Sequence, residues 1–153
     1  MKKSLLFILL VSVMLLTIGC GKDKKEEGYG LTFDGVKIVP GEKIDVSKFK
    51  KEYEKSEVPD CALGGKGINY TFEELEISTN EEGIVYSIYV IDPNVKTDEG
   101  VYLGDEVKTV KEKYGNADLL SGIMTYSRGG VELTFVIDKD KVIGIEYNMI
   151  IKE

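Results

Sequence analysis

The side chains that could carry chemistry in this chain are serines, lysines, two cysteines and many carboxylates, because the 153 residues include no histidine. Histidine is the commonest general base and a frequent zinc ligand, so serine triads and histidine-bound zinc are excluded. The sequence SKFK, Ser47 to Lys50, has the Ser-x-x-Lys spacing in which a lysine activates a serine one helical turn away. The Ser-Asp-Asn and Lys-Thr-Gly elements that accompany such a site are absent from the sequence. We therefore predict no catalytic residue and interpret the chain as a non-enzyme.

Carboxylates could act as calcium ligands or as paired acids. Asp138 and Asp140 have the spacing of the first two ligands of a calcium loop, but no glycine or distal glutamate follows at the required places. A solvated turn is the better interpretation, and we expect neither a metal nor another cofactor. Paired catalytic acids would need apolar pockets that make one carboxyl group less acidic. Strand alternation instead places four glutamates on a solvated face: Glu74, Glu76, Glu132 and Glu146.

Cys20 lies at the border between an apolar leader and a charged segment. Two lysines are followed by an apolar run over residues 5–18, which is shorter than the ~20 residues of a membrane-spanning helix. A basic start, a short apolar run and a small residue before the cut are typical of a secretory signal peptide, here residues 1–19. Gly19 and Cys20 resemble the lipobox of bacterial lipoproteins, in which a lipid is attached to the cysteine sulfur. An ordinary signal peptide that happens to contain a cysteine is the alternative.

The lipid on Cys20 would anchor the mature chain in the cell membrane, with the folded part on the extracytoplasmic side. Residues 21–28, GKDKKEEG, contain no apolar side chain, so we predict that residues 20–28 form a lipidated, flexible tether. The mature chain keeps 18 basic and 27 acidic residues, and its formal charge of −9 repels nucleic acid. Once Cys20 is lipidated, Cys61 has no disulfide partner, and we interpret it as a small buried residue.

Two segments have the spacing of apolar residues that an amphipathic helix requires. Residues 45–53 and 105–115 both place them at i, i+3 and i+7 behind an acidic start. Three strand-like segments follow each predicted helix, and the two sets match at offsets of 56 or 57 residues. The predicted fold class is therefore α+β, with two tandem units that each pack a helix on a small antiparallel sheet. The alternative is that the two sets of elements are unrelated.

The predicted domain organisation follows from this repeat. The first α+β unit covers residues 29–91, a polar connector covers residues 92–100, and the second unit covers residues 101–153. The first unit opens with LTFDGVKIV, in which the dipeptide Asp34-Gly35 predicts a hairpin turn.

The segments CALGGKGINYTFEELEIST and VKTDEGVYLGDEVKTVKEKYG resemble a set of uncharacterised surface lipoproteins of Gram-positive bacteria, from about residue 31 onward. The residues that carry this resemblance are Cys61, Gly65, Tyr70, Thr79, Thr97, Gly100, Gly104, Tyr114 and Gly115. It implies a surface location and no particular activity. The tandem helix-plus-sheet layout is similar to the modules of β-lactamase inhibitory proteins and to small lipoproteins of outer-membrane assembly. That similarity implies binding by a sheet face, as an analogy of fold.

Strand alternation separates a core face from a solvated face. The side chains predicted to face the core are Leu75, Ile77, Tyr86, Ile88, Val131, Leu133, Phe135, Ile143 and Ile145. The opposite face mixes aromatic and aliphatic side chains with carboxylates, which is typical of a recognition surface. The predicted binding residues on it are Glu74, Glu76, Val85, Tyr89, Ile91, Glu132, Thr134 and Glu146. The alternative is that the connector or the N-terminal hairpin covers the apolar members.

These observations predict a lipid-anchored, extracytoplasmic binding protein that recognises a protein or peptide through a sheet face. A cell-envelope protein with a positively charged rim would suit the acidic chain. A solute- or glycan-binding lipoprotein is the second possibility, since tyrosines such as Tyr89 could stack on a ring. A small hydrolase that uses carboxylates alone is the third.

Overall fold

The computed structural model describes residues 26–59 and 65–151 of the chain. The predicted signal peptide, Cys20 and Cys61 lie outside these residues. The described part contains strands, one α-helix and a 3₁₀ helix over Val46–Lys48. The element bounds are β1 Leu31–Phe33, β2 Val36–Ile38, β3 Glu54–Pro59, β4 Lys66–Thr71, β5 Leu75–Asn80, β6 Val85–Val90, α1 Val107–Tyr114, β7 Ile123–Arg128, β8 Val131–Asp138 and β9 Lys141–Met149.

Seven strands form one antiparallel sheet in the order β3-β4-β5-β6-β9-β8-β7, and β1 pairs with β2 in a separate hairpin. Strands β3 to β6 form one meander of this sheet and strands β7 to β9 form another. The meanders join where β6 pairs with β9, with Ile88 opposite Tyr147 and Val90 opposite Ile145. The prediction of two tandem units, each a helix on its own small sheet, is therefore wrong. Each meander alone would have two unpaired strand edges. The pairing of β6 with β9 removes one of these edges from each meander.

The first predicted helix, residues 45–53, is wrong. Only Val46–Lys48 are helical, as one 3₁₀ turn in which the Asp45 side chain accepts a hydrogen bond from the backbone of residue 47. The backbone at Phe49 is extended, with φ −70° and ψ 138°. With this helix missing, the chain lacks the repeated helix-plus-sheet layout on which the similarity to β-lactamase inhibitory proteins was based.

A contact with the β1–β2 turn explains why this helix stops. The backbone N–H groups of Lys50 and Lys51 both donate to the Asp34 carboxylate, and Lys51 N lies 3.0 Å from Asp34 Oδ2. A continuing helix would have used these donors itself. The same two hydrogen bonds, that of Lys50 first, hold the pKa of the Asp34 carboxyl group below its ordinary value.

The second predicted helix and the first hairpin turn are confirmed. Helix α1 buries Val107 and Val110 and ends at Gly115, whose φ is 89°. At the β1–β2 turn, Asp34 and Gly35 both have positive φ, 50° and 77°, as a two-residue hairpin turn of this type requires.

The core lies on one face of the seven-stranded sheet, beneath the β1–β2 hairpin, the 3₁₀ helix, the connector and α1. Their apolar side chains and those of the sheet form one buried cluster. Phe33 and Phe49 pack against Phe72 at ring-centroid distances of 5.1 and 4.9 Å, and Tyr114 of α1 packs on Phe135 at 5.2 Å. The core-facing prediction is confirmed for Leu75, Ile77, Ile88, Val131, Leu133, Phe135 and Ile145.

A β-bulge in β6 changes which of its side chains face the core. Thr79 pairs with Val85 and Ser78 pairs with Ser87, so Tyr86 is an extra residue in β6. Val85 is fully buried, and its predicted place on the solvated face is wrong. Tyr86 was predicted to face the core, but a Cβ built on the outward position 67 would lie 3.0 Å from its hydroxyl. Tyr86 therefore lies across the solvated face, where β4 has a glycine.

A second bulge has the same effect in β9. Ile137 pairs with Val142 and Val136 pairs with Gly144, so Ile143 is the extra residue. Ile143 is 57% exposed, and its predicted place in the core is wrong. The alternation beyond the bulge is regular again, which keeps the later residues of β9 on their predicted faces.

The N-terminal segment packs closely against the β7–β8 turn. Gly28 is buried, and a Cβ on it would lie 2.6 Å from Val131 Cγ2. A Cβ on Gly129 would lie 2.4 Å from the backbone nitrogen of Gly28. The approach of the two backbone segments therefore requires glycine at both positions.

Replacement of Gly129 by alanine should destabilise the fold more than the same replacement of Gly130. Both residues have positive φ, 58° and 84°, so either substitution carries a backbone cost of about 1–2 kcal/mol. A methyl group on Gly129 would also overlap with Gly28, whereas nothing lies within 4 Å of that position at Gly130. We expect urea unfolding to show a loss of about 2–4 kcal/mol for Gly129→Ala and about 1–2 kcal/mol for Gly130→Ala. Equal losses would contradict the close approach of the N-terminal segment.

Candidate functional site on the open face of the sheet

The sheet face opposite the core carries a row of side chains that crosses five strands. Each residue of this row is directly opposite the next on the neighbouring strand. We call it the tyrosine row, and it consists of Glu76, Tyr89, Glu146, Thr134 and Thr125. Its members are half-buried or exposed, so this face of the sheet is open to solvent.

Tyr89 lies near the middle of the open face and is 47% exposed. Its strand, β6, has three strands on either side. The Glu76 carboxylate is held from β4, because Oε1 accepts from Asn69 Nδ2 at 3.1 Å and Oε2 lies 3.4 Å from Thr71 Oγ1. Directly opposed side chains in a sheet have Cβ atoms about 5 Å apart, so the Tyr89 ring stands between the carboxylates of Glu76 and Glu146. The arrangement offers an aromatic surface flanked by negative charge.

A second polar row runs beside the tyrosine row. Glu132 is opposite Asn148, which is opposite Ser87 on β6, and Ser87 is opposite Ser78. Glu132 is half-buried and adds a third carboxylate to the open face. Ser78 is buried, but the Ser87 hydroxyl, the Asn148 amide and the Glu132 carboxylate can donate or accept hydrogen bonds with a ligand.

The structure places most of the predicted binding residues on this face: Glu76, Tyr89, Ile91, Glu132, Thr134 and Glu146. The placement predicted for Val85 is wrong, because the bulge at Tyr86 turns its side chain into the core. The placement predicted for Glu74 is also wrong. Its carboxylate pairs with the Lys51 ammonium, which lies 5.9 Å from the Phe33 ring on the covered side.

Ser47 and Lys50 do not form the activated pair that their spacing suggests. The 3₁₀ helix ends before residue 50, so the two side chains are not one helical turn apart. Ser47 Oγ instead donates to Asp45 Oδ1 at 2.6 Å. Hydrogen bonds from the Ser47 side chain and then its backbone lower the pKa of the Asp45 carboxyl group, which makes it a poor general base.

Asp138 ends β8 and Asp140 lies in the β8–β9 turn. Lys139 and Asp140 both have positive φ, 46° and 65°, and Lys141 pairs with Glu106 at 3.3 Å. In residues 26–59 and 65–151, no group of three or more carboxylate or thiol side chains is arranged to hold a metal ion.

Sequence reasoning missed a polar cluster that fastens the N-terminal segment. Glu99 accepts a hydrogen bond from the Tyr114 hydroxyl at 2.6 Å and from the Arg128 guanidinium at 3.2 Å. The guanidinium carbon of Arg128 lies 3.9 Å from the centre of the Tyr29 ring, and Tyr29 packs edge-on against Tyr114 at 5.6 Å. Four separate parts of the chain therefore meet in one cluster.

The environment of this cluster favours a role in stabilising the fold over a role in catalysis. Burial, followed by the hydrogen bond to Glu99, raises the pKa of the Tyr114 phenol. Burial also raises the pKa of the Tyr147 phenol. Its hydroxyl is buried near Tyr114, and none of the described residues forms a hydrogen bond of ordinary geometry with it. Phenols that stay protonated can donate hydrogen bonds but are poor nucleophiles.

The sequence carried one signal for this cluster. Arg128 is the only arginine, against nineteen lysines. A planar guanidinium can pair with a carboxylate and stack on an aromatic ring together, which an ammonium cannot do as well. The sequence therefore singles out Arg128 but does not identify Glu99 or Tyr29 as its partners.

Comparisons with known proteins returned no match among family models, curated proteins or solved structures. The resemblance to surface lipoproteins of Gram-positive bacteria therefore stays a prediction. Among the described residues, no helix is long and apolar enough to cross a membrane.

Glu99→Gln should destabilise the fold more than Glu112→Gln. Glu99 joins Tyr114 and Arg128 and is largely shielded from solvent, whereas Glu112 makes an exposed pair with Lys108 on α1. Hydrogen bonds to a shielded charge contribute about 1.5–3 kcal/mol, and exposed helix pairs about 0.5 kcal/mol or less. Urea unfolding should therefore show a loss of about 1–3 kcal/mol for the first variant and less than about 0.5 kcal/mol for the second. Similar values for both would mean that the cluster does not fasten the fold.

Proposed function

We propose that this chain is a lipid-anchored binding protein on the extracytoplasmic side of the cell membrane, and that it recognises a protein or peptide through the open face of its sheet. The observation that carries the proposal is the position of Tyr89, exposed near the middle of that face between Glu76 and Glu146. Tyrosine is enriched in the energetically important part of interfaces, because its large rigid ring is amphipathic. The anchor is supported by the leader and Cys20 in the sequence.

The shape of the face favours an extended partner over a small solute. Small ligands bind in concave sites that enclose most of their surface. The tyrosine row instead crosses five strands of a sheet, and a cleft of about 580 Å³ lies elsewhere, lined by Gly28, Pro40 and Met149. Solute or glycan binding is therefore the weaker of the two possibilities.

A photoreactive phenylalanine analogue at position 89 should capture a protein in the intact cell envelope. Irradiation should give an adduct of defined mass, detected by blotting against a C-terminal tag. The same analogue at the exposed position 112 on α1, on the covered side of the sheet, should not give that adduct. No adduct from position 89, or the same adduct from both positions, would count against recognition by the open face.

Cys20→Ser should abolish incorporation of labelled palmitate, and Cys61→Ser should leave it unchanged. The sulfur of Cys20 is the predicted attachment point, whereas Cys61 lies in the mature chain. Mass spectrometry of the wild-type protein should also show that residues 1–19 have been removed. Label on Cys20→Ser, or a native chain that keeps its leader, would rule out the lipoprotein assignment.

A further inference from the structure

A second row on the open face is apolar and runs parallel to the tyrosine row. Ile123 is opposite Val136, and Val136 is opposite Gly144. Ile91 directly follows Val90, the last β6 residue that pairs with β9, and strand alternation after Tyr89 places it on the open face towards Gly144. At the other end, Leu120 and Ile123 exchange backbone hydrogen bonds of 3.0 and 2.9 Å, which puts their side chains on the same face. We call these five residues the apolar row: Ile91, Gly144, Val136, Ile123 and Leu120.

Ile91, Ile123 and Leu120 of the apolar row are exposed, Val136 is half-buried and Gly144 is buried. Leu120 is 71% exposed, Ile91 is also exposed, and the bulge residue Ile143 adds a further exposed aliphatic side chain next to Gly144. A Cβ on Gly144 would lie 3.1 Å from Val136 Cγ2, so the Val136 side chain packs over the glycine. Single exposed aliphatic residues are ordinary, but four aliphatic side chains in one line across a sheet indicate a contact surface.

The two rows form one surface. Tyr89 precedes Ile91 by two residues on the same chain segment, as Thr134 precedes Val136 and Thr125 follows Ile123. Two residues along a strand span about 7 Å, and five neighbouring strand positions span about 19 Å. A partner that lies across the strands would therefore touch the apolar row with one side and the tyrosine row with the other.

Charge decides which partner fits this surface. The tyrosine row and the polar row beside it contain three carboxylates, those of Glu76, Glu132 and Glu146, and neither row contains a lysine or an arginine. A second copy stacked on the same face would bring these carboxylates together, and the mature chain has a formal charge of −9. An anionic membrane surface would be repelled for the same reason. We propose that the partner is a polypeptide segment with a stripe of aliphatic side chains flanked by lysine or arginine, an inference that rests on the proposed function.

Selection from a random twelve-residue peptide display library tests this proposal. The target is the full-length chain in phosphatidylcholine nanodiscs, and peptides that bind empty nanodiscs are removed first. The enriched peptides should carry a net positive charge and periodically spaced aliphatic residues, and they should bind more weakly at high salt. Enrichment of acidic peptides, or of peptides without an aliphatic stripe, would overturn it.

Matched variants connect the selected peptides to the two rows. Ile123→Asp should weaken their binding about tenfold, whereas Ile150→Asp should not, although the two wild-type side chains are similarly exposed at 42% and 40%. Glu146→Lys should weaken binding about fivefold and Glu112→Lys should not. Ile123→Thr keeps a β-branched side chain in the strand and should weaken binding to a smaller extent, and circular dichroism establishes that each variant is folded. Peptide binding that is unchanged in Ile123→Asp would overturn the proposal.

Other outcomes would assign the surface to a different partner. Self-association of the wild-type chain that Ile123→Asp abolishes, measured by sedimentation, would assign the apolar row to a second copy. Binding to phosphatidylglycerol vesicles that Ile123→Asp abolishes would assign it to the membrane. Both outcomes overturn this inference. If position 89 captures an envelope protein and that capture is unaffected by Ile123→Asp and Glu146→Lys, the proposed function stands and this inference fails.

Discussion

The pairing of β6 with β9 is the contact on which the rest of the structure depends. It joins two meanders into one sheet with a common core, and it does so through fully buried residues such as Ile88, Tyr147 and Ile145. The same pairing puts Tyr89 beside Glu146 and Ile91 beside Gly144. One set of backbone hydrogen bonds therefore closes the core on one face of the sheet and assembles the two surface rows on the other.

The covering layer explains why one face stays open. The part of the chain that the structure describes has one α-helix of eight residues, and the remainder of the cover is a short hairpin, a 3₁₀ turn and the connector. These elements are short, so side-chain contacts fasten them: Asp34 binds the backbone after the 3₁₀ turn, and Glu99 ties α1 to β7 and the N-terminal segment. A layer built this way reaches over one face of the sheet, and the opposite face is left to solvent or to a partner.

The sequence predicted those features that depend on local pattern. Alternation identified the core positions of β5 and β8, periodicity identified α1, and Asp34-Gly35 identified a turn. The failures arise from contacts between residues far apart in the chain. Asp34 accepts the backbone N–H groups of Lys50 and Lys51, which the first predicted helix would have used for its own hydrogen bonds. An extra residue in each of β6 and β9 turns Val85 and Ile143 to the face opposite the predicted one. Nothing in the local sequence marks a bulge, and nothing in it pairs Glu99 with Arg128.

The edges of the sheet bear on what can bind to the open face. The outer strand β3 carries exposed Glu54, Lys55 and Glu57, and charged side chains on an edge oppose pairing with another sheet. The carboxylates of the tyrosine row likewise oppose stacking of two open faces, since like charges would be brought together without solvent. Repulsion of this kind disfavours contact between two copies of the open face, while the exposed Tyr89 and Ile123 stay accessible to other molecules. A partner of opposite charge would bind this face without that electrostatic penalty.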